Sequence, residues 1–168
     1  MNRHPPLSKA EIEARLVVDI DTGVVVWKDA TKYHKNLAGE IAGGPRNSRG
    51  KPYWTIRING IPYRRSQIVL VMATGVWPAE TVDHINGDSL DDRACNLRHA
   101  SITQNNWNQR RRAKEDGLPT GVRLTKGGRF QARIACHQKP LHLGIFDSAD
   151  AAHRAYQEKR VELFGRFA

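Results

Sequence analysis

The amino-acid sequence predicts an α+β fold, and three observations predict it. A hairpin signal, Asn59-Gly60, sits between strand-like segments in the first half. A strand, loop, strand and helix follow within about thirty residues after Pro78. The last fifty or so residues alternate polar and apolar side chains with period two and then switch to a helix with an alanine face. Strands and helices come in separate runs, without the regular alternation that a parallel sheet with crossover helices requires.

Taken in order, Ser8-x-x-Glu11 is a capping box, so a short helix is expected from Lys9 to about Leu16. Asp21-Thr22-Gly23 signals a turn before the strand-like Val24–Trp27, and Trp27 reads as core. Residues 28–52, rich in Lys, Gly, Asn and Arg, read as loop. Tyr53–Ile58 and Ile61–Arg65 flank Asn59-Gly60, a pair suited to a two-residue turn because both positions need positive φ. Ile68–Met72, between Ser66 and Gly75, reads as a buried helix. Pro78 marks a break.

Thr81–Ile85 reads as a strand, Asn86-Gly87-Asp88 as a turn, Ser89–Cys95 as a polar loop and Asn96–Arg98 as the returning strand. A second capping box, Ser101-x-x-Gln104, opens a helix expected to reach about Arg112. Arg110–Pro119 reads as a linker. Beyond it, Arg129, Gln131 and Arg133 alternate with Phe130, Ala132 and Ile134, and Leu141 and Leu143 bracket His142, the pattern of strands with one buried face. Phe130, Leu141, Leu143, Phe146 and Tyr156 read as core. Asp147-Ser148 caps a helix through Ala151, Ala152, Ala155 and Tyr156, with Gly165 as its stop.

Charge narrows the functional class. The net charge of +10 favours a polyanionic partner, and its distribution is informative. Residues 1–80 carry 12 basic and 7 acidic groups, residues 81–109 carry 2 and 4, and residues 110–168 carry 13 and 6. An acidic island between basic flanks is what a cation site inside a nucleic-acid-binding protein would look like. No stretch is long and apolar enough for a membrane span, and the N-terminus lacks the apolar run of a signal peptide, so no membrane association is expected. Cys95 and Cys136 lack metal-ribbon spacing, which fits a reducing cytoplasm.

The acidic island holds the most specific pattern. Asp83-His84 lies on the first strand, Asn96 follows the His by twelve residues, and Asn105 comes nine further on, on the helix. With Val82-Asp83-His84-Ile85-Asn86-Gly87-Asp88 and Asn96-Leu97-Arg98, this resembles the HNH endonucleases, particularly the phage and homing type with a ββα-metal fold. Phosphodiester hydrolysis needs an activated water, a cation on the phosphate and stabilisation of the leaving 3′-oxygen. The resemblance implies His84 as general base, Asp83 and Asn105 as metal ligands, and Asn96 as a brace that holds the loop and orients the His84 ring. Asparagine at 105, where the fullest motif has His, favours hard oxygen ligation of Mg²⁺ or Mn²⁺, and Gln109 one turn later is a possible extra donor. On a regular strand Asp83 and His84 face opposite ways. Asp88, Asp91 and Asp92 read as loop solvation or loop caps.

Gly121-Val122-Arg123, Arg129 to Ile134, Leu141 to Phe146, Ala151 to Tyr156 and Phe164-Gly165 resemble an Apetala-2-type DNA-binding domain, with Gly127 and His142 standing where the plant domains carry Trp. The resemblance implies a three-stranded sheet laid in the major groove, presenting Arg123, Thr125, Arg129, Gln131, Arg133 and His142, with Arg110 and Arg111 of the linker beside it. Arginine can bond guanine edges and glutamine adenine edges, and the same face can grip phosphates alone. Residues 10–80, with Asp21-x-Gly23, Trp27, a hairpin and Gly75-Val76-Trp77-Pro78, are similar to the region preceding the HNH motif in phage endonucleases, which commonly have His where Ser66 stands here. Arg57, Arg64 and Arg65 are candidate phosphate contacts there.

The expected organisation is an N-terminal β-rich region (1–80), a ββα-metal unit (81–112), a linker (113–119) and a sheet-plus-helix module (120–168). The expected partner is double-stranded DNA, with no obligate protein partner and a monomer or homodimer. Alternatives are a non-catalytic DNA-binding regulator on a degenerate scaffold and an RNA-binding basic protein.

Overall fold

The computed structural model describes residues 6–29, 37–48, 50–108, 116–136 and 139–167. Helices and strands mix in several small sheets, an α+β architecture. The chain forms two compact units, residues 1–105 and 106–168. No helix among the described residues is long and apolar enough to cross a membrane.

In the first unit, α1 (Lys9–Glu13) starts on the Ser8–Glu11 capping box and is shorter than expected, because Leu16 turns into strand β1 (Leu16–Val18). β1 pairs antiparallel with β2 (Val25–Trp27), and Trp27 is buried. The loop expected over 28–52 contains strand β3 (Gly44–Ser48), and β4 begins at Lys51. The composition Gly-Pro-Arg-Asn-Ser hides this strand. It lies on the edge of its sheet, where its proline is tolerated and its register comes from β4 rather than from its own propensity.

Strands β4 (Lys51–Ile58) and β5 (Ile61–Arg64) form the expected hairpin, with Asn59 at φ 51° and Gly60 at φ 80°. Helix α2 (Arg65–Thr74) follows at once and ends on Gly75 in the left-handed region. The core joins Ile12, Leu16, Val25 and Trp27 to Ile56, Ile58, Ile68, Val69 and Leu70, and it includes Leu97. The N-terminal region and the strand pair that follows therefore share one core. That pair is β6 (Thr81–His84) and β7 (Leu97–Ala100), antiparallel, with a 3-10 turn at Ala94–Asn96 leading into β7. Helix α3 (Ile102–Asn108) opens on the second capping box: Gln104 N–H donates to Ser101 Oγ at 3.1 Å and Ser101 N–H to Gln104 Oε1 at 2.8 Å. The expected extension of α3 to Arg112 lies outside the described residues.

The second unit is a three-stranded antiparallel sheet with β9 (Phe130–Cys136) between β8 (Val122–Leu124) and β10 (Lys139–Phe146). Helix α4 (Ala149–Phe164) is capped by Ser148 and stops at Gly165. Its Ala152 and Tyr156 are buried, as are Val122, Ala132 and Ile134 of the sheet. Trp107 stacks on Phe164 with ring centroids 4.5 Å apart. A register shift between His142 and Gly144 breaks the alternation of β10. Leu141, expected in the core, is instead 41% exposed.

Candidate active site

Strand register decides what Asp83 and His84 touch. Directly opposite residues share a face, and the pairs are Asp83 with Arg98 and His84 with Leu97. Asp83 is 2% exposed, and Arg98 donates to its Oδ2 through Nε and Nη2, each at 2.7 Å. A buried carboxylate needs such a partner, since desolvating it alone costs several kcal/mol. His84 serves the other face of β6. Its Nε2 lies 2.8 Å from Oδ1 of Asp92.

Asp92 is also 2% exposed. Its second oxygen, Oδ2, accepts from Nε of Arg65 at 2.6 Å. Arg65, the first residue of α2, also donates Nη2–H to the Leu90 carbonyl at 3.0 Å and stacks on the Trp54 ring at 4.8 Å. An Arg65–Asp92–His84 chain thus runs from α2 through the loop to β6. Asp92 was expected to be loop solvation or a loop cap; burial and its contacts with Arg65 and His84 give it a different place. No local pattern links positions 27 residues apart, so sequence spacing alone carries no sign of the Arg65–Asp92 pair. Arg98 did carry a sign, because a hairpin through residues 85–96 places it opposite Asp83.

Asn96 is 6% exposed and its amide is spent on the loop. Its Oδ1 accepts from Asn86 N–H at 3.0 Å, and its Nδ2 donates to Asn86 Oδ1 at 3.1 Å and to the Asp91 carbonyl at 2.7 Å. Its own carbonyl accepts from Ile85 N–H. These bonds close the loop at both ends. The ring contact of His84 described above comes from Asp92, and Asn96 bears on it through the loop. Within the loop, Arg93 grips Asp91 with two bonds of 2.7 Å, and Asn86 adds a third at 2.8 Å. The Arg93 guanidinium holds the Asp91 carboxyl down at about 2.

Asn105 sits in the first turn of α3, half-buried, its N–H bonded to the Ser101 carbonyl. Among the described residues no group of three or more His, Cys, Asp or Glu side chains could hold a metal ion. The candidate donors are instead one carboxylate and one amide oxygen. Both are hard oxygen donors, unlike thiolate or imidazole. A cation at Asp83 would share its carboxylate with Arg98.

In the second unit, Arg123 lies opposite Gln131, and Arg133 opposite His142, so these four share one sheet face, away from the buried Val122 and Ala132. Arg123, Arg133 and His142 are exposed. Arg129 pairs with Asp147 at 2.8 Å on the surface. The Thr125 hydroxyl donates to the Arg129 carbonyl and accepts from its N–H, closing the β8–β9 turn. Arg110, Arg111 and Gln109 lie outside the described residues. In the first unit, Arg46, Arg57 and Arg64 line a groove of about 700 Å³ with Tyr53 and Thr55, and among the described residues no carboxylate lines it.

No curated protein and no solved structure matches the chain. A family model does. Residues 63–107, from β5 through the β6–β7 pair to α3, match the HNH endonuclease family, and the Arg65–Asp92–His84 chain, Asp83, Asn96 and Asn105 all lie inside that match.

Proposed function

We propose that this protein is a metal-dependent DNA endonuclease of the HNH type that hydrolyses a phosphodiester bond. One observation carries the reading: the segment that matches the HNH endonucleases folds as two antiparallel strands and a helix, and Asp83, His84, Asn96 and Asn105 all lie within it. His84 acts as general base and takes a proton from the attacking water. Asp83 and Asn105 hold a Mg²⁺ or Mn²⁺ ion, which supplies positive charge to the phosphate and the leaving oxygen. Asn96 keeps the loop closed, so that Asp92 stays against His84. Double-stranded DNA is the partner. The sheet face of Arg123, Gln131, Arg133 and His142, as in an Apetala-2-type module, together with the Arg46–Arg57–Arg64 groove, grips it. With one site per chain a monomer nicks one strand, as a nicking or homing-type enzyme, and double-strand cleavage takes a dimer or two visits.

The second reading is a DNA-binding regulator on an inert scaffold, and the Asp83–Arg98 pair favours it, since the guanidinium already balances the charge that a cation would balance. Supercoiled plasmid with Mg²⁺ or Mn²⁺ separates the two. Wild type should give the nicked circle, and His84→Ala should slow it by about 100-fold or more. Intact plasmid under both ions, with DNA still shifted in a gel, would leave the regulator.

A further inference from the structure

We propose that Asp92 is a positioning residue for the reaction at His84: it accepts the Nε2–H of the ring, holds its rotamer and tautomer, and makes Nδ1 the nitrogen that takes the proton from water. The inference rests on the nuclease reading and adds to it which ring atom reacts and what orients it.

The geometry assigns the roles. Asp92 Oδ1 is 2.8 Å from His84 Nε2, and Oδ2 is 2.6 Å from Arg65 Nε. A carboxylate that accepts from a guanidinium through one oxygen accepts through the other as well, so the ring nitrogen facing it carries the hydrogen. In the neutral ring the other nitrogen, Nδ1, then carries the lone pair. The carboxylate is itself fixed. Arg65 is anchored by the Leu90 carbonyl and the Trp54 ring. Gly23 packs closely against the Asp92 backbone: a Cβ there would lie 2.5 Å from the Asp92 carbonyl carbon. A loop held only for solvation would not need a buried carboxylate clamped from two elements.

The step balances without a further reagent. Water gives a proton to Nδ1 and its oxygen bonds to phosphorus. The phosphorus–oxygen bond to the leaving 3′-oxygen breaks, that oxygen keeps the electron pair and takes a proton from solvent, and Nδ1 later returns its proton to solvent. Asp92 keeps its hydrogen bond throughout and takes no proton.

The test uses the full chain with ¹⁵N-labelled histidine, the His84 signals being those lost in His84→Ala. Wild type should show the Nε2–H form. In Asp92→Asn the amide can turn its NH₂ toward the ring, so the Nδ1–H form should appear. Turnover in plasmid nicking should fall by about 100-fold with KM for DNA unchanged, and Asp92→Glu should recover part of it. Should Asp92→Asn fail to fold, Arg65→Met with Asp92→Leu removes the pair without stranding a buried charge, and the same fall in turnover at unchanged KM is expected. An unchanged His84 tautomer, or unchanged turnover in Asp92→Asn, overturns the proposal. The tautomer is read without cleavage, so that failure is distinct from a wild type that never nicks.

Discussion

At the scale of single residues, sequence neighbours part company. Asp83 and His84 leave β6 on opposite faces, one to Arg98 and one to Asp92, so in the proposed reaction they would act from two sides of the strand. Removing one member of a buried ion pair strands the other, at a cost of about 3–5 kcal/mol. Arg98→Met should therefore lower stability by about that much in urea denaturation without divalent ions. If Asp83 holds the cation, millimolar Mg²⁺ should restore more stability to this variant than it adds to wild type; an equal effect on both counts against Asp83 as a ligand. Asn96→Ala removes three side-chain hydrogen bonds from a buried position and should cost about 2–3 kcal/mol. Its nicking rate should fall as well, because the Asp91 carbonyl that Asn96 holds precedes Asp92.

At the scale of elements, the turn before β2 matters more than a turn signal suggests. Gly23, at φ +73°, lies against the peptide joining Asp92 and Arg93, where any Cβ collides with backbone. Gly60 has a similar φ of +80° but open space around it. Alanine at either position carries the conformational cost of about 1–2 kcal/mol, and only Gly23→Ala should also slow nicking, by displacing Asp92. Equal effects on rate would separate the turn from the site. The loop has its own pH signature. Asp91 is held near 2, below its ordinary 3.8, chiefly by hydrogen bonds from Arg93. A carboxyl depressed in the fold adds stability above its unfolded value and loses it as pH falls through the folded value. Asp91→Asn should thus flatten the acid limb of the stability curve between about pH 4 and 2 and leave neutral pH to the lost ion pair.

At the scale of the whole molecule, basic stretches flank an acidic one along the sequence, and DNA affinity should fall steeply with salt. Arg123→Ala with Arg133→Ala, on the exposed face of the second sheet, should weaken binding and reduce the salt slope by about two, while single-turnover nicking at saturating DNA stays unchanged. A salt slope equal to that of wild type would show that this face is solvated rather than bound. Legibility followed the same division. Elements with local signals were readable: both capping boxes, the Asn59-Gly60 hairpin, the Gly75 stop, and the sheet and helix of the second unit. Strand β3 was not, since its residues have poor strand propensity and take their register from β4. Leu141 was misjudged: it lies opposite the buried Ile134 yet is itself exposed, a difference that alternation along the strand does not encode.

The sequence alone determined the order Asp83, His84, Asn96, Asn105, the strand–loop–strand–helix that carries it and the charge that favours a polyanion, because each depends on residues close in the chain or on composition. Only the tertiary structure decided the company these residues keep. Arg65 comes from the N-terminal core helix, Gly23 from a turn some seventy residues before Asp92, and burial turned Asp92 from a loop carboxylate into the partner of His84. The physical reason is desolvation: a charge taken out of water must be met by another, and which one meets it depends on packing between elements far apart in sequence.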